Sequence, residues 1–114
     1  MSVIIWHNPR CSKSRQTLQL LEDAGHRPTV RLYLEDSPTV EELDEVLDKL
    51  AIDAVAWTRR KENVFAEAGL KGVTDRQTIL RALASHPKLI ERPVVITPSA
   101  ARLGRPPEAV LEIL

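Results

Sequence analysis

Hydrophobic and polar positions follow one another along this chain in blocks that predict a mixed α/β protein. Residues 3–6 form a short apolar run bounded by the polar "HNP", which predicts a buried strand. After Ser12 the apolar positions recur at helical spacing, and Gly25 with Pro28 supplies the stop signals. Residues 29–34, "TVRLYL", alternate and predict a second strand. A strand, a helix and a strand in this order predict a parallel β-α-β unit.

The middle of the chain is predicted to be mostly helical, from about residue 36 to residue 87. Two capping boxes, Thr39 with Glu42 and Thr74 with Gln77, predict helix starts. After each box the apolar positions share one helical face, which we expect to be buried. These positions are Val40, Leu43, Val46, Leu47 and Leu50 in the first helix, and Ile79, Leu80 and Leu83 in the second.

The C-terminal part returns to strand composition. Residues 92–98, "RPVVITP", predict a strand, and residues 100–103 predict a short partner strand, with Gly104 expected to permit the turn between them. The final "PPEAVLEIL" predicts a helix whose prolines occupy the permitted first turn. The sum is β-α-β, a helical block, then β-β-α. A thioredoxin-like α/β fold has these parts, with the helical block as an insertion between the two halves.

Length and charge narrow the range of functions. A chain of 114 residues without repeats or linkers predicts one domain, residues 1–114. Sixteen basic and sixteen acidic residues cancel, which argues against nucleic acid or anionic lipid as a partner. No apolar run is long enough for a membrane span, and the N-terminus lacks a signal-peptide pattern, so we expect a cytoplasmic protein.

The chain contains one cysteine, Cys11, in the segment "HNPRCSKSR". A single cysteine forms no internal disulfide, and the three histidines are far apart in the sequence, so no zinc site is expected. An inert buried cysteine is the common alternative, but such a residue would lie in an apolar run. Cys11 instead has polar neighbours typical of a surface loop. We therefore interpret it as a nucleophile that reacts with an outside partner.

The predicted helix start gives a reason for the thiol to be reactive. Cys11 lies at or just before the first helical turn, where unpaired N–H groups and the helix dipole favour a thiolate. Positive potential is expected from His7, Arg10, Lys13 and Arg15. The sequence therefore predicts a lowered pKa for this thiol.

Ser14 stands where a C-x-x-C oxidoreductase carries its second cysteine. After one attack, an oxidised Cys11 therefore needs an external thiol to regenerate it. The spacing from Cys11 to Arg15 is C-x-x-x-R, which is shorter than the phosphate loop of cysteine phosphatases and argues against that class.

Several motifs in order resemble the glutaredoxin-dependent arsenate reductases, the ArsC family. These are "HNPRCSKSR", "LYLEDSPT", "RRKENVFAEAGL", "HPKLIERPVVITP" and "RLGRPPEAVLEIL", and the likeness extends from residue 3 to residue 114. The loop sequence "SKS" and the end of the chain at Leu114 resemble a shorter subgroup that lacks a C-terminal extension.

The resemblance implies a thioredoxin-like fold and a reaction in which a cysteine thiolate attacks arsenate. Glutathione then attacks the adduct, and glutaredoxin resolves the glutathionylated enzyme. Carried onto this sequence, Cys11 is the nucleophile and His7 helps to tune it. Ser14 and Arg15 match the serine and arginine that follow the family cysteine. The resemblance also implies a cis Pro93 facing the thiol.

Three arginines match the family's oxyanion-binding positions: Arg59, Arg92 and Arg105. Arg60 replaces Arg59 if the alignment is shifted by one residue. Planar guanidinium groups bind tetrahedral oxyanions through paired, charge-assisted hydrogen bonds, and a positive cradle offsets the repulsion between a thiolate and an anionic substrate.

The expectation is thus a monomeric arsenate reductase without a bound cofactor or metal, with glutathione and glutaredoxin as reductants. Two alternatives remain. One is a redox-responsive regulator that binds RNA polymerase, as the related Spx proteins do, although Ser14 removes the usual C-x-x-C switch. The other is a monothiol, glutathione-linked oxidoreductase with a different substrate, which would need Cys11 but not the three arginines.

Overall fold

The computed structural model describes residues 2–114. Two compact units are present: one comprises the chain up to Asp36 together with Arg92–Leu114, and the other comprises Ser37–Glu91. The elements, in chain order, are β1 Ile4–Trp6, α1 Ser12–Asp23, β2 Thr29–Arg31, α2 Val40–Leu50, a 3₁₀-helix Val55–Trp57, α3 Asn63–Glu67, α4 Arg76–Ser85, a 3₁₀-helix Pro87–Leu89, β3 Val94–Ile96, β4 Ala101–Leu103 and a 3₁₀-helix Pro107–Ile113.

The first unit is built on a four-stranded sheet in the order β2-β1-β3-β4. Strand β1 pairs parallel with β2 and antiparallel with β3, and β3 pairs antiparallel with β4. Ile5 lies opposite Val30 on one side and Val95 on the other. The parallel β-α-β start and the C-terminal β-β pair are therefore confirmed.

One face of this sheet carries the core of the first unit. Its buried members are Val3, Ile5, Leu21, Val95 and Val110, and Leu18, Ile113 and Leu114 pack against them. Alternate residues of β1 and β3 point to the same face, and α1 contacts the C-terminal 3₁₀-helix. This packing anchors α1, the helix that begins just after Cys11, to the sheet.

The second strand is shorter than predicted. It ends at Arg31, after which the N–H groups of Glu35 and Asp36 both donate to the carbonyl of Leu32 and turn the chain. The apolar alternation of this segment does not face the core: Val30 in β2, and Leu32 and Leu34 after it, are 44%, 36% and 41% exposed. The prediction of a strand over 29–34 is therefore wrong for its second half.

The second unit is mostly helical, as predicted. Helix α2 begins at the predicted capping box of Thr39 and Glu42, whose reciprocal hydrogen bonds are both present. Helices α2 and α4 contact each other, and their buried residues are Leu43, Val46, Leu47 and Leu50 in α2 and Ile79, Leu80 and Leu83 in α4.

The predicted start of α4 is wrong by one residue. The N-cap is Asp75, not Thr74, because the Asp75 carboxylate accepts hydrogen bonds from both the N–H and the hydroxyl of Thr78, at 3.0 and 2.6 Å. A carboxylate makes a stronger, charge-assisted cap than a threonine hydroxyl. Gln77 therefore forms no capping box.

Gly104 lies after β4 and not in the turn between β3 and β4. That turn is closed by Thr97, whose N–H donates to the carbonyl of Ala100 at 2.8 Å and whose hydroxyl accepts from the Ala100 N–H at 3.1 Å. Gly104 is instead a position of close packing: a Cβ there would clash with the hydroxyl of Thr17 and would come within 2.7 Å of Cγ of Pro93. Only glycine fits between these two side chains without a shift.

The length of the helices bears on the membrane prediction. No helix within residues 2–114 is long and apolar enough to cross a bilayer.

The prediction of one domain with a helical insertion was made from the order of elements, and it stays a prediction.

Candidate active site

Cys11 lies in the loop between β1 and α1, at the N-cap of the helix. Its backbone is extended, with φ −96° and ψ 123°. The Cys11 N–H donates to the carbonyl of Asn8 at 3.0 Å, and the Cys11 carbonyl accepts the first helical bond from Arg15 N–H at 3.0 Å. The thiol is therefore presented at the helix N-terminus, partly exposed to solvent.

Three donors converge on the sulfur of Cys11. Partial burial is the largest single influence on this thiol and raises its pKa. Hydrogen bonds from the Ser14 N–H, the Arg92 guanidinium and the Lys13 N–H lower it, as does the positive charge of Arg92. Together these lowering effects are larger, so the pKa of Cys11 is below its ordinary value and the prediction of a lowered pKa is confirmed.

The source of this lowering differs in part from the prediction. The Lys13 and Ser14 amides are the free N–H groups of the first helical turn, as expected. The charged group that acts on the thiol, however, is Arg92, which comes from the segment just before β3. The cations within the loop sequence, Arg10 and Lys13, are exposed.

Ser14 and His7 form a buried polar pair beneath the loop. Nδ1 of His7 lies 2.6 Å from Oγ of Ser14, and the same Oγ accepts a hydrogen bond from the Asn8 N–H at 3.0 Å. Ser14 is completely buried and His7 nearly so. The Ser14 hydroxyl therefore ties the end of β1 to the first turn of α1.

His7 does not add positive charge beside the thiol. Burial lowers the pKa of His7, and the nearby positive charge of Arg15 lowers it further. The imidazole is therefore neutral at neutral pH. The prediction that His7 contributes positive potential is wrong, because the sequence does not show that this residue is buried.

Arg15 closes the loop from the outside. Its Nη1 donates to the carbonyl of Pro9 at 2.9 Å, and the side chain is exposed. Asn8, which the sequence analysis did not single out, holds the same loop from within, since its Oδ1 accepts from the Arg10 N–H at 3.0 Å. An Asn-Pro pair is a recognised turn signal and could have indicated this role.

Two of the predicted oxyanion arginines come together in the first unit. Arg105 Nε donates to the backbone carbonyl of Arg92 at 2.8 Å, and Arg92 in turn bonds the thiol of Cys11. The Gly104 N–H donates to the carbonyl of Pro93 at 2.9 Å, which fixes the two segments side by side. The Arg92–Pro93 peptide is cis, as the resemblance implied, and the Arg105–Pro106 peptide is also cis.

Arg59 belongs to the second unit. Its guanidinium bonds two carboxylates, with Nη1 at 2.9 Å from Glu91 Oε1 and Nε at 3.3 Å from Glu62 Oε1. Arg60, the residue considered in its place, is exposed. The sequence pattern did not reveal the pairing with Glu91, because that residue is far from Arg59 along the chain.

The donor types present argue for thiol chemistry. Within residues 2–114 there is no group of three or more histidine, cysteine, aspartate or glutamate side chains placed to hold a metal ion. The site contains a partly exposed Cys11 thiol whose pKa is lowered in part by Arg92. A second guanidinium, that of Arg105, binds the backbone carbonyl of Arg92. Such a thiol is a nucleophile suited to an anionic partner.

The fold and this cysteine loop define a thioredoxin-like α/β protein with a single reactive thiol. The model of the ArsC family matches residues 6–113, and the chain belongs to that family. It is 47% identical to an arsenate reductase of Haemophilus influenzae over the full length of both chains. It is also 43% identical to YfgD, an uncharacterized protein of Escherichia coli, over 98% of this chain and 96% of that one. The solved structure of an arsenate reductase from Vibrio cholerae has a TM-score of 0.95 and 52% identity, covering 100% of this chain and 98% of that chain.

Proposed function

We propose that this protein is an arsenate reductase that uses glutathione and glutaredoxin as reductants. The observation that carries the proposal is the position of the partly exposed Cys11 thiol at the N-cap of α1, where the first-turn amides and Arg92 lower its pKa. One cation thereby serves two purposes: it stabilises the thiolate, and it lies where an anion attacked by that thiolate needs a partner. Membership of the ArsC family and the names of full-length relatives support the same activity.

The first step is nucleophilic attack by the Cys11 thiolate on the arsenic of arsenate. A sulfur–arsenic bond forms, and an arsenate oxygen leaves as water after protonation. Arg92 and Arg105 are proposed to bind the tetrahedral oxygens through charge-assisted hydrogen bonds. These contacts offset the repulsion between a thiolate and a substrate of the same sign. The assignment of Arg59 as a third oxyanion ligand stays a prediction from the sequence.

The second step reduces the arsenic. The glutathione thiolate attacks the Cys11 sulfur, so a disulfide forms and the sulfur–arsenic bond breaks. The electron pair of that bond stays on arsenic, which is released as arsenite. Glutaredoxin then attacks the glutathione sulfur and releases the Cys11 thiolate. An external thiol is required because Ser14, and not a second cysteine, occupies the resolving position.

His7 and Ser14 are proposed to tune the nucleophile indirectly. A neutral His7 adds no charge, but through Ser14 Oγ it fixes the turn whose amides bond the sulfur. Arg15 is proposed to support the same turn through Pro9.

The proposal is tested by NADPH oxidation in a mixture of arsenate, glutathione, glutaredoxin and glutathione reductase, with the Cys11→Ser protein as the blank. We expect turnover that requires arsenate, glutaredoxin and Cys11 together. Arsenate-independent turnover, or full turnover by Cys11→Ser, would refute it. If Cys11 is alkylated rapidly at neutral pH but arsenate gives no turnover, the substrate is wrong and only a reactive thiol remains.

Two arginine variants test the alternative of a thiol oxidoreductase without an oxyanion substrate. In that case Arg92→Leu and Arg105→Leu would lose arsenate turnover no more than they lose reduction of a small glutathione mixed disulfide. The proposed function requires a larger loss with arsenate, because only that substrate needs the guanidinium groups on its oxygens.

A further inference from the structure

Gly104, just after β4, packs unusually closely against Thr17 of α1. A Cβ at position 104 would clash with Oγ1 of Thr17, and it would come within 3.2 Å of Cγ2 of Thr17 and 2.7 Å of Cγ of Pro93. Thr17 is completely buried. The backbone at Gly104 therefore approaches α1 more closely than a residue with a Cβ could without a shift.

On one side, this contact leads to the first turn of α1. The hydroxyl of Thr17 donates to the carbonyl of Lys13 at 2.8 Å. Lys13 and Ser14 are the residues whose N–H groups act on the sulfur of Cys11. Thr17 is therefore joined, within one helical turn, to the backbone that stabilises the thiolate.

On the other side, the contact leads to Arg92. The Gly104 N–H donates to the carbonyl of Pro93 at 2.9 Å, and Arg105 Nε donates to the carbonyl of Arg92 at 2.8 Å. These two hydrogen bonds join residues 104–105 to residues 92–93, so a shift of one segment would carry the other with it. Within residues 2–114, Arg92 is the charged group among those that lower the pKa of Cys11.

The contact between Gly104 and Thr17 thus lies between the two sets of groups that act on the thiol. We propose that Gly104 is a positioning residue for Cys11, because with Thr17 it sets how closely the segments of Arg92 and Arg105 approach the first turn of α1. The inference deepens the proposed function and rests on it where arsenate is concerned. The reactivity of the thiol, however, can be measured without arsenate.

The expected effect follows from the distance dependence of a charge interaction. With an effective dielectric constant of about 20, moving a cation from about 4 Å to about 5 Å from a thiolate lowers the thiolate population about fourfold at a pH below the pKa. A thiolate of higher pKa is intrinsically more nucleophilic, which offsets part of this loss. At such a pH we expect Gly104→Ala to slow alkylation of Cys11 by iodoacetamide about two- to fourfold.

The experiment measures the rate of iodoacetamide alkylation against pH. Because Cys11 is the only cysteine, the rate reports on this thiol alone. The midpoint of the profile should lie at a higher pH in Gly104→Ala than in the wild type. His7 also faces this turn through Ser14, but its pKa is lowered by burial and none of the variants changes that contact.

Two comparisons show whether Gly104 acts through Arg92. In Arg92→Leu the charge is absent, so adding Gly104→Ala should move the midpoint little further. Val110→Ala is the control for lost packing, because it truncates a buried core residue of the same unit that does not meet a Cβ at position 104. It should destabilise the protein to urea but leave the midpoint unchanged.

Two substitutions at Thr17 test the same contact without adding a side chain at position 104. Thr17→Val places a methyl group where Oγ1 meets Gly104, so it should also raise the midpoint, by less than Gly104→Ala does, and only while Arg92 is present. Thr17→Ser keeps the hydroxyl and its bond to Lys13, and it should leave the midpoint unchanged. If urea unfolding shows that Gly104→Ala does not fold, the two Thr17 variants decide.

A raised midpoint in Gly104→Ala and Thr17→Val that disappears in the Arg92→Leu background supports the inference. An unchanged midpoint in both folded variants, or an equal shift in Val110→Ala or without Arg92, means a packing role only and overturns it. If the midpoint moves as expected while arsenate turnover is absent in every protein, the inference stands and the proposed substrate is wrong. If arsenate is turned over but the midpoint does not move, the inference fails and the function stands.

Discussion

Ser14→Ala tests whether the buried serine is what joins the cysteine loop to the sheet. The substitution deletes the hydroxyl that lies 2.6 Å from Nδ1 of His7 and accepts from the Asn8 N–H at 3.0 Å. Ser14 is fully buried, and His7 is only 6% exposed. Water therefore has little access to the groups that would be left without a partner.

The expected loss follows from those two groups. Leaving a buried donor or acceptor unsatisfied costs about 1–3 kcal/mol, and the Asn8 N–H is only partly buried, so the lower part of that range applies to it. The sum is a decrease of about 2–4 kcal/mol in the free energy of unfolding. Alanine is slightly the better helix former, which reduces the net loss by a few tenths of a kcal/mol.

Urea unfolding followed by tryptophan fluorescence measures this loss. Ser12→Ala is the matched control, because it makes the same substitution at an exposed position of the same helical turn. We expect Ser12→Ala to change stability by less than about 0.5 kcal/mol. A Ser14→Ala loss no larger than that of Ser12→Ala would refute the reasoning, because the hydroxyl would then contribute nothing beyond helix propensity.

Two further predictions concern the groups around the thiol. Arg92→Leu removes a hydrogen bond and a positive charge that lower the pKa of Cys11, so that pKa should rise, and iodoacetamide alkylation should require a higher pH. Gly104→Ala introduces a Cβ that meets Thr17 and comes within 2.7 Å of Pro93 Cγ, so the free energy of unfolding should fall by about 1–3 kcal/mol in urea titrations.

Each of these predictions has a matched comparison. Arg102→Leu removes another arginine of the first unit, and it should leave the pH dependence of Cys11 alkylation unchanged; an equal shift in both variants would contradict the role of Arg92. For the glycine, Thr17→Ala removes both Thr17 atoms that crowd the new methyl group. The double variant Gly104→Ala, Thr17→Ala should then lose less than the sum of the single losses, and strict additivity would contradict the steric argument.

The sequence predicted most elements correctly where local signals decide them. The Thr39–Glu42 capping box and the stop signals after α1 operate within one or two helical turns, and the structure has both. The errors occur where contacts with segments distant in the sequence determine the structure. The "TVRLYL" alternation predicts a strand with one buried face, but the strand ends at Arg31, and Val30, Leu32 and Leu34 are exposed.

The reactive cysteine was also found from local signals. A polar, basic loop between a predicted strand and a predicted helix was sufficient to predict that Cys11 lies in a surface loop and has a lowered pKa. The cation that acts on the sulfur could not be predicted from the loop itself, because Arg92 comes from a distant segment and is brought to the thiol by the pairing of β1 with β3. The resemblance to the family predicted Arg92 as an anion ligand, but it did not predict that Arg92 interacts with the thiol.

The sequence by itself determined the order of strands and helices and the position of Cys11 at a helix start, because hydrophobic period, capping and turn chemistry act between near neighbours. Only the tertiary structure decided the charge of His7, the need for glycine at position 104 and the pairing of Arg59 with Glu91. Burial, steric contact and electrostatic interaction depend on which distant segments pack together, and that packing exists only in the folded chain.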